Sequence, residues 1–462
     1  MSAGSRPRRA IGAETQALRA ARLALRRSAA LVLVAGLLLS CSGRERGNPF
    51  DPRNPETDGE PRALWAEARC GAVRLTWSDL GLKDVRGFRV YRTALAAQAP
   101  ESLLTATPLS AATRRFEDET VCNGDAYRYA LEFVFGAATA RVQTVTARPG
   151  AALPWVADPC GTGLQLLAPD AGTVRLATSY GSLVYDLAVD AVHHRVYATD
   201  LASPGGVRIW STDGEQEFDA LPLAGATTVA LSGAADRLAV GAFYEGRVVW
   251  MTTAGETILS LDLAAPSRLY PEALAFRDST RTWIACTDST GGAGRLLAVD
   301  LGRQLVDTLA AEVARPVDVA DDVSGGGCWI ADREAGEVLY VTDALSVRAR
   351  AGRPFIAPRG LAADGQGRCW VTDPEAGLVA LVDRDGVIVK SLSGLGPVRG
   401  IAYDPEARQL WITVPERGEV WLLATGQRAG ESLGDTLGAA VLAGCPTQIA
   451  GDWSGGCAEA AR

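Results

Sequence analysis

Between Ala188 and Ala450 one pattern of apolar and polar positions recurs seven times: an aliphatic residue followed by alanine, usually opened by proline. The alanines are Ala188, Ala230, Ala275, Ala320, Ala362, Ala402 and Ala450, at steps of roughly 40 to 48 residues. The fullest repeat runs Pro358-Arg359-Gly360-Leu361-Ala362, a turn at Asp364-Gly365, then Trp370-Val371-Thr372-Asp373 and Gly377. An apolar stretch to Val382, a turn at Asp385-Gly386 and Val387-Ile388-Val389 complete it. Alternation of this kind between tight turns predicts four short strands, with no helical periodicity between them. Stacked four-stranded units of this length predict an all-β chain whose larger part is a β-propeller.

The propeller starts before its first alanine. Trp155-Val156-Ala157-Asp158, Gly163 to Leu167 and Gly172 to Leu176 match the second, third and fourth strands of the pattern, with the first missing. Cys445-Pro446-Thr447-Gln448-Ile449-Ala450 repeats the missing strand at the other end of the chain. Residues 155–457 therefore form six complete repeats and one composite, predicting seven blades with a noncovalent seam closed by the C-terminal strand; six blades is the alternative count. Aligning the repeats brings Cys445 beside Cys160, so a disulfide across the seam is expected, with a Cys445 to Cys457 bond as its competitor.

Residues 62–149 follow another rhythm. Val73 to Trp77, Gly87 to Arg92 and Tyr127 to Leu131 alternate with period two and predict a small β-sandwich. Trp77, Tyr91 and the stretch from Gly124 to Tyr129 resemble the second-strand tryptophan, third-strand tyrosine and tyrosine corner of a fibronectin type III domain. That resemblance implies a spacer or adhesion module, and it sets the loops holding Cys70 and Cys122 at one end, where they could bridge.

Ahead of the sandwich, an arginine-rich opening and the apolar run Ala29 to Leu39 have the size of a signal-peptide core and are too short to span a bilayer. The run ends at Leu38-Leu39-Ser40-Cys41, which resembles the lipobox of bacterial lipoproteins. The resemblance implies that residues 1–40 are removed, that Cys41 is lipidated, and that Ser42 favours an outer-membrane anchor in the cell envelope. Residues 41–61, with Asn48-Pro49-Phe50-Asp51-Pro52 and Asn54-Pro55, are expected to be a semi-stiff tether, with docking of Phe50 on the next domain as the alternative.

Charge narrows the partners. The chain has a formal net charge of −8, and residues 1–40 hold seven arginines against one acid, Glu14; the remainder carries 39 basic and 53 acidic residues, net −14. Such a surface excludes nucleic acid as the expected partner. Arg348, Arg350, Arg353 and Arg359 form a local basic group, read as a solvated face with an anionic ligand as the alternative.

Two columns recur within the repeats. Trp155, Tyr197, Trp283, Trp329, Trp370 and Trp411 share one position of the second strand and are expected to pack between blades. Asp158, Asp200, Asp332 and Asp373 stand three residues further on, with Gly241 and Val414 interrupting the series. Aspartates at such turns accept backbone N–H groups; the alternative is a rim of carboxylates holding Ca²⁺. Cys286, Cys328 and Cys369 lack metal-ligand spacing and are read as buried small hydrophobes.

The repeat of Pro358 to Ala362, Gly367 and Trp370 to Asp373 resembles the blades of NHL-repeat proteins and of streptogramin B lyase-type seven-bladed propellers. The lyase resemblance implies histidines on the channel face, whereas His193 and His194 are the chain's two histidines and fall in a turn at the opposite face. No catalytic residue is carried over. The leading expectation is a lipid-anchored extracytoplasmic binding or scaffold propeller that takes a protein or glycan ligand and needs no cofactor. A metal-dependent lyase or lactonase-type enzyme and a structural subunit of an envelope assembly are the alternatives. The longer loops Leu201 to Gly205, Ala264 to Tyr270 and Ser289 to Gly294 are the expected carriers of specificity.

Overall fold

A computed structural model describes residues 48–452 except 70, 96–99, 123–124, 137, 151–152, 161–162, 172–173, 178–182, 203–204, 213, 215, 265–267, 289, 310, 312, 406, 428–431 and 443. Residues 1–47, with Cys41, and 453–462, with Cys457, lie outside the described residues. Among the described residues every regular element is a strand apart from two single 3-10 turns, and no helix is long and apolar enough to cross a membrane.

The first nine strands make two antiparallel sheets. Leu64–Arg69, Ala72–Trp77 and Arg115–Asp118 form one; Val85–Ala94 and Tyr127–Phe135 are the centre of the other. Trp77, Phe88, Tyr129 and Phe133 fill a common core between them. The Tyr127 hydroxyl accepts the Cys122 N–H at 2.9 Å. Cys122 is exposed and free, and Cys70, the candidate for a bridge with it, lies outside the described residues. The tether is not extended along residues 48–60: it folds back in turns tied by Asn54 and Thr57, and Phe50 packs on Phe133 at 5.4 Å. Phe50 is partly buried there, and the apolar contact with Phe133 and Phe135 favours the folded-back path over the extended preference of the prolines.

Seven four-stranded antiparallel sheets follow, each ordered from the inner strand outward. The inner strands of blades 2 to 7 are Val184–Asp190, Ala226–Leu231, Leu269–Phe276, Pro316–Asp321, Gly360–Ala363 and Ile401–Asp404. Blade 1 takes its inner strand, Gln448–Asp452, from the C-terminal end, paired in register with Leu153–Asp158. The Ala157 carbonyl accepts the Thr447 N–H at 2.9 Å, and Cys160 and Cys445 form a disulfide with Cα atoms 5.4 Å apart. One oxygen of Asp158 accepts the N–H groups of both cysteines, each at 2.9 Å. A Cβ on Gly444 would overlap that carboxylate, so only glycine fits there. Asp158, Cys160 and Cys445 are thus a closed covalent and hydrogen-bonded staple and not a metal-ligand trio.

The seven alanines and the aromatic column are two halves of one device. Ala188 pairs with Tyr197, Ala275 with Trp283, Ala320 with Trp329, Ala362 with Trp370, Ala402 with Trp411 and Ala450 with Trp155. Direct cross-strand partners lie on one sheet face, so the methyl group leaves room for the ring beside it. In blade 3 the second-strand partner of Ala230 is Ala239, and the ring moves one strand outward to Trp250. Each ring then enters the core of the next blade: Trp329 packs with Leu361 and Val371, Trp370 with Ile401 and Ile412, and Trp411 with Val156 and Ile449 across the seam. Ala362→Leu should over-pack the Trp370 wedge and lower stability by about 1–3 kcal/mol, read as a fall in Tm by calorimetry, whereas a surface change such as Val389→Ala should leave Tm nearly unchanged.

Candidate functional site

Each inner strand starts at one end of the central channel, and its first residues face the axis. The third and second positions before each alanine therefore form two rings of side chains. The outer ring is Thr447, Tyr185, Thr227, Glu272, Val317, Arg359 and Arg399; the next is Gln448, Asp186, Thr228, Ala273, Asp318, Gly360 and Gly400. All but Gly400 line a cavity of about 410 Å³ at the channel mouth, joined by Phe243 and Tyr244. This is the size of a small-ligand pocket.

The second ring also latches the blades. Asp186 accepts the Thr228 hydroxyl at 2.8 Å and the Val229 N–H at 3.0 Å from the next blade, and Asp318 accepts the Leu361 N–H at 2.9 Å in the same way. Blades 6 and 7 have glycine there and rely on a threonine of the second strand alone. Blade 2 also makes that latch, through Thr199, whose hydroxyl accepts the Asp186 N–H at 3.0 Å and donates to the Thr227 carbonyl at 3.4 Å. The Thr372 hydroxyl accepts the Gly360 N–H and donates to the Arg399 carbonyl, and that of Thr413 accepts the Gly400 N–H and donates to the Thr447 carbonyl. Burial raises the Asp186 and Asp318 carboxyls despite their N–H partners, Asp318 to about 7.

The sequence-predicted aspartates stand at the same face but point into the loops. Asp200 accepts the Leu183 and Ala202 N–H groups; Asp332 accepts those of Ala314, Arg315 and Ala335; Asp373 accepts those of Ile356, Ala357, Glu375 and Ala376. With Asp158 they are caps, each serving its own loop, and are not gathered around a common point. Where Gly241 and Val414 interrupt the series, 3-10 turns at Phe243–Glu245 and Pro415–Arg417 close the connection without a side-chain cap. The first of these turns delivers Phe243 and Tyr244 to the cavity, held by the Thr227 hydroxyl, which accepts the Phe243 N–H at 3.2 Å. Tyr244 is 67% exposed and Tyr185 38%.

Charge divides the mouth into sectors. Arg359 and Arg399 stand at equivalent positions of adjacent blades, with Arg315 and Arg333 of blade 5 flanking them. Burial and then the neighbouring Arg399 and Arg333 pull Arg359 down to about 10, and burial with Arg333 lowers Arg399. Glu272 lies in the field of Arg315, Arg359 and Arg333, yet its burial still raises its carboxyl. The basic group read from the sequence is therefore split: Arg348 pairs with Asp385 and Arg350 with Glu337, both at 2.8 Å on the outside, while Arg359 turns to the channel. His193 binds Asp190 at 2.9 Å in the turn after the inner strand of blade 2, at the far end of that strand from the cavity. Cys286, Cys328 and Cys369 are buried with their thiols pushed up by desolvation, as small hydrophobes would be. Among the described residues of the three long loops none lines the cavity, and Tyr270 reaches it indirectly by packing on Phe243 at 5.5 Å.

No family model matches the chain, and no curated protein matches its sequence. Solved structures similar to it are propellers of low identity. A proposed 6-phosphogluconolactonase from Bacteroides fragilis superposes with a TM-score of 0.52 at 10% identity, covering 65% of this chain and 98% of the other. The periplasmic gluconolactonase of Pseudomonas aeruginosa gives 0.50 at 14% identity over 65% and 98%. A functionally unknown protein from Desulfotomaculum acetoxidans gives 0.50 at 12% over the same shares. These likenesses establish the β-propeller fold.

Asp318 makes the mouth sensitive to pH. From about 3.8 upward an unfolded aspartate releases its proton while the folded Asp318 keeps it to about 7, so its contribution to stability is full at low pH and is lost as pH rises through that window. Asn mimics the protonated side chain. Asp318→Asn should therefore reduce the fall in Tm between pH 4 and pH 7.5 without removing it, because Asp186 and Glu272 shift in the same direction.

Proposed function

We propose that the chain is a binding propeller of the bacterial cell envelope, anchored by lipid on Cys41 and raised from the membrane by its sandwich, and that its ligand, a glycan or protein segment, enters the channel mouth. The observation that carries this reading is the cavity itself. It is the place where all seven blades contribute, and its wall combines hydrogen-bonding groups with the exposed rings of Tyr185 and Tyr244. Tyrosines that are held by the frame but left open to solvent supply contact area at little entropic cost on binding. The N-terminal segment supports the location, since a cysteine directly after a short apolar core is the mark of lipid anchoring.

A photo-crosslinking residue at position 244, in the native envelope, should capture a discrete adduct, and the same residue at Val389 on an outer strand should not. Labelling at 389 alone would count against a channel-mouth ligand. Tyr244→Ala should weaken binding of the captured ligand about tenfold, roughly 1.4 kcal/mol, with Tm unchanged.

A second reading, hydrolysis of a sugar lactone, draws on Glu272, whose carboxyl accepts, among the described residues, one long hydrogen bond from Thr287 at 3.4 Å while Asp186 and Asp318 are occupied by backbone N–H groups. If it holds, glucono-δ-lactone is opened faster than in buffer, with or without added Ca²⁺, and Glu272→Gln abolishes the acceleration; equal rates in both proteins exclude it.

A further inference from the structure

We propose that Arg359 and Arg399 together form a seat for an anionic group, a carboxylate or phosphate, carried by the ligand of the channel mouth; the proposal rests on the channel-mouth reading above. Both arginines line the cavity at the same register position of neighbouring blades. Neither guanidinium has an ion-pair partner within 4 Å among the described residues. Two other half-buried arginines do have carboxylate partners: Arg277 meets Asp321 and Asp343, and Arg384 meets Asp322. In a chain with an excess of acids, two half-buried arginines of adjacent blades that line one cavity without an ion-pair partner need a reason.

The backbone supplies one. The position after each arginine is glycine, where blades 2 and 5 place Asp186 and Asp318. A Cβ on Gly360 would overlap the Arg399 carbonyl, and one on Gly400 the Thr447 carbonyl. The close approach therefore excludes the carboxylate that would neutralise the pair, and the Thr372 and Thr413 latches hold the blades without it. Blades 6 and 7 keep the latch and lose the acid.

The remaining fields act in two directions. Arg333, itself shared with Glu375 at 3.3 Å, adds to the repulsion; Glu272 and Asp318 offset part of it on Arg359 from beyond ion-pair distance. Burial and like-charge proximity leave Arg359 easier to deprotonate than an ordinary arginine, so an arriving anion relieves an existing cost. The planar fork of an arginine suits the oxygens of a carboxylate or phosphate, and adjacent blades supply two of them to one cavity. The same cavity is lined by Tyr185, Thr228, Tyr244 and Gln448, which are uncharged and offer ring faces and hydrogen bonds to the body of the ligand. A polar ring bearing an acid, such as a uronic acid or a phosphorylated sugar unit, matches both kinds of lining.

The test uses the full-length chain in an uncharged polyoxyethylene detergent, titrated calorimetrically at constant ionic strength with inorganic phosphate, D-glucuronate and, as neutral control, D-glucose. Saturable binding of phosphate or glucuronate is expected, with the preferred probe identifying the phosphoryl or carboxylate source. Arg359→Gln and Arg399→Gln should each weaken it at least tenfold, Arg359→Lys should restore part of it, and the ligand-free Tm of the glutamine variants should stay level or rise because repulsion is relieved. A purely structural arginine would give a lower Tm instead, and that result overturns the proposal. So does anion binding that persists undiminished in both glutamine variants, or no anion binding at all. Glucose binding that depends on Tyr244 without any anion binding would keep the channel-mouth reading and remove the anion seat alone.

Discussion

The wedge between neighbouring blades is the constraint on which the rest of this structure depends. A sheet standing radially in a ring has a crowded inner end and a widening gap outside it, and each gap here is filled by one large ring from the preceding blade. The ring can lie there because its cross-strand partner is alanine. Since Trp411 reaches across the seam to Val156 and Ile449, and Trp155 fills the next gap with Val184 and Leu187, the last blade is packed like any other. Dense packing of this kind tolerates little change of volume on either side.

A frame fixed in this way frees the mouth of the channel. The inner strands must still connect to one another there, and two solutions coexist: an aspartate that grips the next blade's backbone, as at Asp186 and Asp318, or a glycine with a threonine behind it, as at Gly360 and Gly400. Blade 2 makes both, through Asp186 and Thr199, whereas blades 6 and 7 hold with the threonine alone, so a blade need not carry an acid at the axis. The acids accumulate in some sectors and the arginines in others, and the choice of latch becomes a difference in electrostatic character around a single opening.

Much of the frame was legible in the sequence. Small and aromatic residues at a fixed interval are a direct imprint of the wedge, and the displaced Cys445 to Ala450 phrase revealed how the ring closes. The aspartates were readable as turn caps because their chemistry is local, completed within about twenty residues of chain for Asp200, Asp332 and Asp373. The channel was not readable in the same way. Tyr185, Glu272, Arg359 and Gln448 come together only when the ring is complete, and none of them is a residue type the repeat holds constant; Arg359 stood out only as part of a basic group that the structure splits. Their one shared signal is register: they stand two or three places before an alanine, at positions where the repeat is otherwise silent. Phe50 was undecided for a related reason, since the proline-rich local preference and the distant apolar surface of Phe133 favour opposite conformations and only the packed structure ranks them.

The composite blade also sets an order in time. Blades 2 to 7 are each built from neighbouring segments, and their strands can pair as soon as they have been synthesised. Leu153–Asp158, one of the earliest propeller strands to be made, must wait for Gln448–Asp452 before its inner edge is covered. Throughout that interval the nascent protein carries an open strand edge of the kind that pairs with foreign chains. Completion of the C-terminus is therefore the moment at which the molecule ceases to be vulnerable to aggregation, and a chain broken anywhere before residue 448 would keep that edge permanently.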